Sequence, residues 1–391
     1  MTSLNRRLFL KRSGIGLLPA FVPLSSLAAD ANKNKSAPPA APIIKFFGDG
    51  EVYEPGDYLL ELQKINSSNS ITRDRYGAGG AVEALEKKMA EITGKEKAIF
   101  MPTGTMANQL ALAVLSGENT KVFVQDTSHV YRDEADAAQS VFQKRLMPLA
   151  KGATFFTADQ LQSAIENLKE EEVFKSGVGA VSIENPVRRT DERHVPLEEI
   201  KKISAWCRNN NIRLHLDGAR IFIASGWTGV SVKEYASYFD TVYISLYKYF
   251  GASGGAVLCG PASVIDKMPH LVKIHGGTMY GNWANAAMAL NRMEGFESRL
   301  KNAIAASVEL FNELNKIPGI HISPLEGGTN TYSMVISKEI DMRKMNESLT
   351  KEFNIRIPRP DEKNQMLIAV NETILYQSTA YIVNAFTKSI K

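Results

Sequence analysis

Between residues 98 and 258, short apolar runs alternate with segments of helical period, and nothing else in the chain limits its fold so strongly. The strand-like runs fall at 98–101, 121–125, 178–183, 212–216, 241–246 and 255–258. Between them lie helix-like stretches at 106–115 and 196–209 and a helical turn at 231–237. Most of these connections are too long for hairpins, so the strands are expected to run mostly parallel, with helices covering both faces. A further helix is read at 83–92, where Gly94 stands just past the end as a C-cap. After residue 295 the pattern changes to helix 300–315, strand 331–336, helix 341–353, strand 365–370 and a last helix at 380–389. The expected class is therefore α/β, with a large domain at 43–295 and a smaller α+β domain at 296–391. A chain of 391 residues is long enough for two such lobes.

In sheets of this kind, ligands sit beyond the carboxyl ends of the strands. Thr103, Asp217 and Lys248 each follow a strand directly, so all three are expected at one edge. Thr103-Gly104-Thr105 opens a helix, where backbone N–H groups and two hydroxyls can hold a phosphate; by itself the same tripeptide is an ordinary N-cap turn. Asp217 can keep a pyridine nitrogen protonated. Lys248 stands in a glycine-rich turn with Ser245 before it and Gly251, Gly254 and Gly255 after it. A buried ammonium is costly unless it is paired, neutralised or used covalently. A phosphate cradle, an acid and a lysine are the parts needed to hold pyridoxal phosphate as a Schiff base. Arg220 stands ready for the cofactor's phenolate or for a substrate carboxylate. His129, just past the strand at 121–125, can stack on the ring and move protons, although an isolated histidine is as often structural. His215 shares a strand face with Asp217 and is read as a buried supporting residue.

Composition narrows the partners. The formal charge of +4 resides wholly in residues 1–29, where Arg6, Arg7, Lys11 and Arg12 meet no acid. The rest is balanced, which gives no electrostatic case for nucleic acid or membrane binding. Asn5-Arg6-Arg7-Leu8-Phe9-Leu10-Lys11 is similar to a bacterial twin-arginine signal, and an apolar stretch ending in Ser26-Leu27-Ala28-Ala29 follows it. The expectation is a signal peptide at 1–29, a proline-rich disordered linker at 30–42 and a periplasmic mature protein. Cys207 and Cys259 are read as buried, unpaired thiols. No Cys/His cluster supports a metal site.

Longer motifs carry a resemblance. Phe100-Met101-Pro102-Thr103-Gly104-Thr105-Met106-Ala107-Asn108, Ser128-His129-Val130-Tyr131, Ile183-Glu184-Asn185, Leu214-His215-Leu216-Asp217-Gly218-Ala219-Arg220-Ile221-Phe222 and the stretch from Ser245 to Gly251 resemble the threonine aldolase and β-eliminating lyase family of fold-type I pyridoxal-phosphate enzymes. The resemblance implies that Lys248 carries the cofactor, Asp217 holds the pyridine nitrogen and His129 stacks on the ring. It also implies that Thr103, Gly104 and Thr105 bind phosphate, with Arg220 near the substrate carboxylate. Enzymes of this family cleave β-hydroxy-α-amino acids to glycine and an aldehyde, and assemble as homodimers or homotetramers with sites at subunit interfaces.

The sequence departs from the family pattern at several places. Where the family places a threonine and a histidine after Glu-Asn, this chain has Pro186 and Val187. The late strand that carries the family's second carboxylate-binding arginine reads Met366-Leu367-Ile368-Ala369-Val370, which leaves Arg356 or Arg359 as substitutes from a neighbouring strand. Asp49 stands in the family's opening substrate segment, here Gly48-Asp49-Gly50. Three functions therefore compete. The first is aldol cleavage of a β-hydroxy-α-amino acid. The second is β-elimination or racemisation of an amino acid. The third is an exported binding protein on the same scaffold.

Overall fold

The computed structural model describes residues 42–390. The expected export signal and nearly all of the linker lie outside the described residues. The chain opens with a two-residue strand, β1 (Ile44–Lys45). Seven strands then form the main sheet: β2 (Lys97–Met101), β3 (Lys121–Gln125), β4 (Arg145–Leu149), β5 (Val178–Glu184), β6 (Arg213–Asp217), β7 (Thr241–Ser245) and β8 (Ala256–Gly260), in the order β2-β8-β7-β6-β5-β3-β4. Only β8 runs against its neighbours; the pairs from β7 through β6, β5 and β3 to β4 are parallel. Strands β3, β7 and β8 are buried along their whole length, as expected where helices cover both faces. At the outer edge, β4 carries Pro148, which the end of a sheet tolerates because one side needs no ladder bond.

The helices begin and end where local chemistry dictates. Gly80–Thr93 stops at Gly94, whose φ of 65° is a conformation that favours glycine. Thr157 and Gln160 form a reciprocal capping box that starts Ala158–Glu171. Leu197–Asn209 turns Ile200, Ile203 and Cys207 toward the sheet. Cys207 and Cys259 are both free and buried, as read from the sequence.

The two largest apolar clusters among the described residues show how the chain is divided. One surrounds the main sheet and includes Leu85, Phe123, Leu216, Ile244 and Phe250. The other lies under an antiparallel sheet of β9 (Ile320–Pro324), β10 (Thr331–Ile336) and β12 (Gln365–Ala369), in the order β12-β10-β9. Ile44 and Phe46, from the start of the described chain, pack in this second core with Leu310, Met345 and Phe386. Strand β1 pairs in parallel with β11 (Ile355–Arg356), and Phe46 accepts a hydrogen bond from the Ala369 N–H. From there the chain crosses to the main sheet, where Gly50 packs against the backbone of Tyr249.

Candidate active site

The site grows from strand ends. Strands β2, β3, β5, β6 and β7 share a direction, so the residues just past them gather at one edge: Thr103 after β2, His129 after β3, Glu184 at the end of β5, Asp217 at the end of β6, and Lys248 three residues past β7. Together with Gly104, Thr105, Tyr247 and Gly255 they line a cavity of about 280 Å³. A larger cavity of about 640 Å³, lined by Tyr76, Phe100 and Met279 among others, contains neither Lys248 nor Asp217.

Thr103 caps the helix Gly104–Ser116 by accepting the Met106 N–H at 3.1 Å. Its hydroxyl therefore serves the N-cap, while the open end of the helix faces the cavity. No side chain larger than glycine fits at 104, since a Cβ there would lie 2.0 Å from the Tyr243 hydroxyl oxygen. Asp217 is almost wholly buried. One carboxylate oxygen accepts from Asn108 at 2.9 Å and the other from the Ala219 N–H at 3.2 Å.

Asn108 organises the floor of the site. Its amide nitrogen donates to Glu134 at 2.8 Å as well as to Asp217. Two acid acceptors determine the amide's orientation, so its oxygen must accept from His215 Nε2, 3.0 Å away. His215 Nδ1 then accepts from the Thr241 hydroxyl at 2.8 Å. Burial pushes the His215 pKa down to about 4, so the ring is neutral, as this pattern requires. Glu134 also accepts from His129 Nδ1 at 2.9 Å, and this bond raises the His129 pKa against the effect of burial. The backbone N–H groups of His129 and Arg188 donate to the two oxygens of Glu184. Burial, and then the nearby charge of Asp217, raises the Glu184 pKa.

Lys248 is largely buried. Burial and then the Arg220 guanidinium lower its pKa, against the pull of Asp217 and Asp49. Its amine is thereby moved toward the neutral, nucleophilic form. Arg220 Nε meets Asp49 at 2.8 Å and Glu192 at 3.3 Å. Burial alone would lower the Arg220 pKa, but these two carboxylates raise it and hold the guanidinium charged. Both partners engage the Nε side, which leaves the Nη edge without a hydrogen bond among the described residues.

The structure thus brings together Thr103, Gly104, Thr105, His129, Asp217 and Lys248 around one cavity, with Asp49 and Arg220 in electrostatic reach of the lysine. Ser245 is fully buried and does not line the cavity. Arg359 is exposed in the segment after β11 and pairs with none of the site's acids among the described residues. Asn108, Glu134 and Glu192 were not singled out as site residues from the sequence. Asn108 stood inside a quoted motif, but its partners lie 26 and 109 residues away.

The donor set fits pyridoxal phosphate. A helix start cleared of side chain by Gly104 suits its phosphate, a buried aspartate suits its ring nitrogen, and a lysine of lowered pKa suits its aldehyde. Residues 67–337 match the family described as beta-eliminating lyase. The chain belongs to the beta-eliminating lyase family. Among its relatives, the low-specificity L-threonine aldolase of Candida albicans is 36% identical over 219 residues, which is 56% of this chain and 58% of that protein. The alanine racemase TOXG of Cochliobolus carbonum is 34% identical over 216 residues, 54% of this chain. In three dimensions the threonine aldolase of Leishmania major superposes with a TM-score of 0.66 at 16% identity, covering 89% of this chain and all of that one. This likeness shows the fold, that of fold-type I pyridoxal-phosphate enzymes, as expected from the motifs.

Proposed function

We propose that this protein is a pyridoxal-phosphate-dependent lyase that cleaves a β-hydroxy-α-amino acid between Cα and Cβ, giving glycine and an aldehyde. The observation that carries the reading is the meeting of Asp217, Lys248 and the helix start at Thr103-Gly104-Thr105 around one cavity. The relatives named above support the choice of reaction.

The cofactor, when bound, supplies an electron-withdrawing ring that stabilises negative charge on the substrate's α-carbon. Lys248 would hold it covalently and, once its amine is free, would deliver a proton to the α-carbon. Asp217 keeps the ring nitrogen protonated, and Asn108 prevents that carboxylate from turning away. His129, held on Glu134, lines the same cavity and would move protons there. The Nη edge of Arg220 takes the substrate's carboxylate, while Asp49 holds the guanidinium from the Nε side.

Replacing Lys248 with alanine tests this reading. The visible absorption band of the protein-bound cofactor is expected to vanish, and cleavage with it; an unchanged spectrum sinks the assignment. The TOXG relative favours racemisation as the second reading. A panel of β-hydroxy amino acids, serine and alanine separates the cases, through glycine plus aldehyde, pyruvate plus ammonia, or a mirror-image amino acid.

Two wider features belong to the same proposal. Val52, Leu59, Leu60 and Tyr247 are exposed apolar side chains. With the exception of Leu60 they border a groove of about 530 Å³ beside the Lys248 loop. A second copy of the chain covering this groove would bury them, consistent with a homodimer or homotetramer, and sedimentation velocity would reveal a monomer if the idea is wrong. The twin arginines Arg6 and Arg7 support export to the periplasm. Cell fractionation of an Arg6→Lys/Arg7→Lys variant is expected to find the protein retained inside.

A further inference from the structure

The segment from Val187 to Val195 holds a carboxylate that the lysine chemistry leaves unused. Here the chain folds back on itself: the Val187 N–H donates to Arg193 at 2.8 Å and the Glu192 N–H to Val187 at 3.1 Å. Asp191 and Glu192 have φ of 61° and 60°, so two successive non-glycine residues occupy the left-handed region. Three contacts from the facing loop keep them there. Thr329 donates its hydroxyl to the Glu192 carbonyl at 2.6 Å, Gly327 accepts from the His194 N–H, and Glu326 accepts from Arg193 Nε. Left-handed backbone at residues other than glycine persists only where the surroundings fix it.

The strain turns the Glu192 side chain inward. One oxygen lies 3.3 Å from Arg220 Nε. The other, Oε2, is fully buried with no hydrogen-bond partner, the only carboxylate oxygen in that state among the described residues. The other acids of the site are engaged: Glu184 by two backbone N–H groups, Asp217 by Asn108 and Ala219, Glu134 by Asn108 and His129, and Asp49 by Arg220. A buried acceptor without a donor is costly, and a ligand hydroxyl would satisfy it. A β-hydroxyl is such a donor. It lies only two carbons from the carboxylate that the Nη edge of Arg220 would hold, and Glu192 shares that guanidinium.

We propose that Glu192 is the catalytic base that takes the β-hydroxyl proton of the substrate. The proposal rests on the aldol-cleavage reading above. Val187, which stands where the family has a histidine, is apolar and fully buried and cannot do this. As the Cα–Cβ bond breaks, its electron pair remains on Cα. The O–H bond of the β-hydroxyl breaks, its proton passes to Glu192 Oε2, and its electron pair closes the aldehyde carbonyl. Cα gains a proton from Lys248 or His129, Glu192 later releases its own to solvent and the donor regains one from solvent, so glycine and aldehyde leave with no net change in protons. Burial raises the Glu192 pKa to about 7, which suits a base working near neutrality. The charged groups facing it are Arg220, Asp49, Lys248, Arg188 and Glu184, while the opposite loop presents neutral Thr329 and Asn330 and an exposed Glu326.

The test compares two reactions of the holoenzyme. Glycine α-proton exchange in deuterium oxide, followed by NMR, needs Lys248 and the cofactor but no β-hydroxyl. For Glu192→Gln the cofactor's visible band and glycine exchange are expected to persist while kcat for aldol cleavage falls about 100-fold or more. Cleavage at the wild-type rate overturns the proposal. A parallel fall of cleavage and exchange overturns it too, because Glu192 would then merely serve Arg220. Should that variant fail to fold, the wild-type pH profiles decide. Cleavage should show an ascending limb near pH 7 that glycine exchange lacks, and matching limbs overturn the assignment. A wild-type protein with the band and with glycine exchange but no cleavage of any β-hydroxy amino acid removes the parent reading, and this assignment with it.

Discussion

Asn108→Ala should be among the most damaging single changes in this protein, and its cost can be worked out bond by bond. The substitution removes the donor to Glu134 and the donor to Asp217, both charged acceptors. Hydrogen bonds to charged groups contribute about 1.5–3 kcal/mol each. It also leaves the His215 Nε2–H without an acceptor in a site closed to water, at a further cost of about 1–3 kcal/mol. Glu134 keeps His129, and Asp217 keeps the Ala219 N–H, so part of the network survives. Taking the low end of each contribution gives about 4 kcal/mol, a large share of the roughly 5–15 kcal/mol typical of a folded protein. Equilibrium urea unfolding of the variant against wild type measures the difference. The second arm of the cycle is His215→Phe, which removes the stranded donor; combined with Asn108→Ala it should lose less than the sum of the two single changes by about 1 kcal/mol or more. A cost below about 1 kcal/mol for Asn108→Ala, or strict additivity in the pair, would refute the reasoning that the asparagine holds acid and histidine in one network.

Two further outcomes follow from local geometry. Gly104→Ala drives a methyl group against the Tyr243 ring and should destabilise the protein by about 1–3 kcal/mol while weakening cofactor retention; Gly56→Ala, with nothing within 4 Å, should stabilise it by about 0.4–1 kcal/mol, and thermal unfolding of both variants checks the contrast. Cys207 and Cys259 are buried, and burial pushes both thiols up to about 12, so neither should react with an alkylating reagent in native protein, whereas both should react in urea, as mass spectrometry would record.

Much of the architecture was legible because strands here are short apolar runs between clear breaks. β3 and β10 begin and end at the residues read from the sequence, and Gly94 and Asp341 mark helix ends where their chemistry says they should. The residues that line the cavity were legible for a related reason: Thr103, Asp217 and Lys248 follow strands whose common direction could be inferred. The floor of the site was legible only at His215, read as a buried supporting residue beside Asp217. Asn108, Glu134 and His215 meet only after three strands have been placed side by side, and an amide inside a helix gives no sign of an acid 109 residues away. Glu192 escaped notice because its importance lies in a backbone conformation and an empty oxygen, neither of which has a residue pattern. Helices Pro55–Ser68 and Ala158–Glu171 were also missed. The first buries few residues and exposes Leu59 and Leu60; the second carries Leu161, Ile165 and Leu168 at helical spacing, a stripe that the reading passed over among its charged residues.

The pairing of β1 with β11 sets an order on biosynthesis. Among the described residues Ile44 and Lys45 have no strand partner other than Ile355 and Arg356, which leave the ribosome more than three hundred residues later. Until then the stretch that carries Asp49 lacks its strand pairing, although Gly50 can already meet Tyr249 and Asp49 can meet Arg220. A nascent chain can therefore build its main sheet early, while the support behind Asp49 is completed only when translation is almost over.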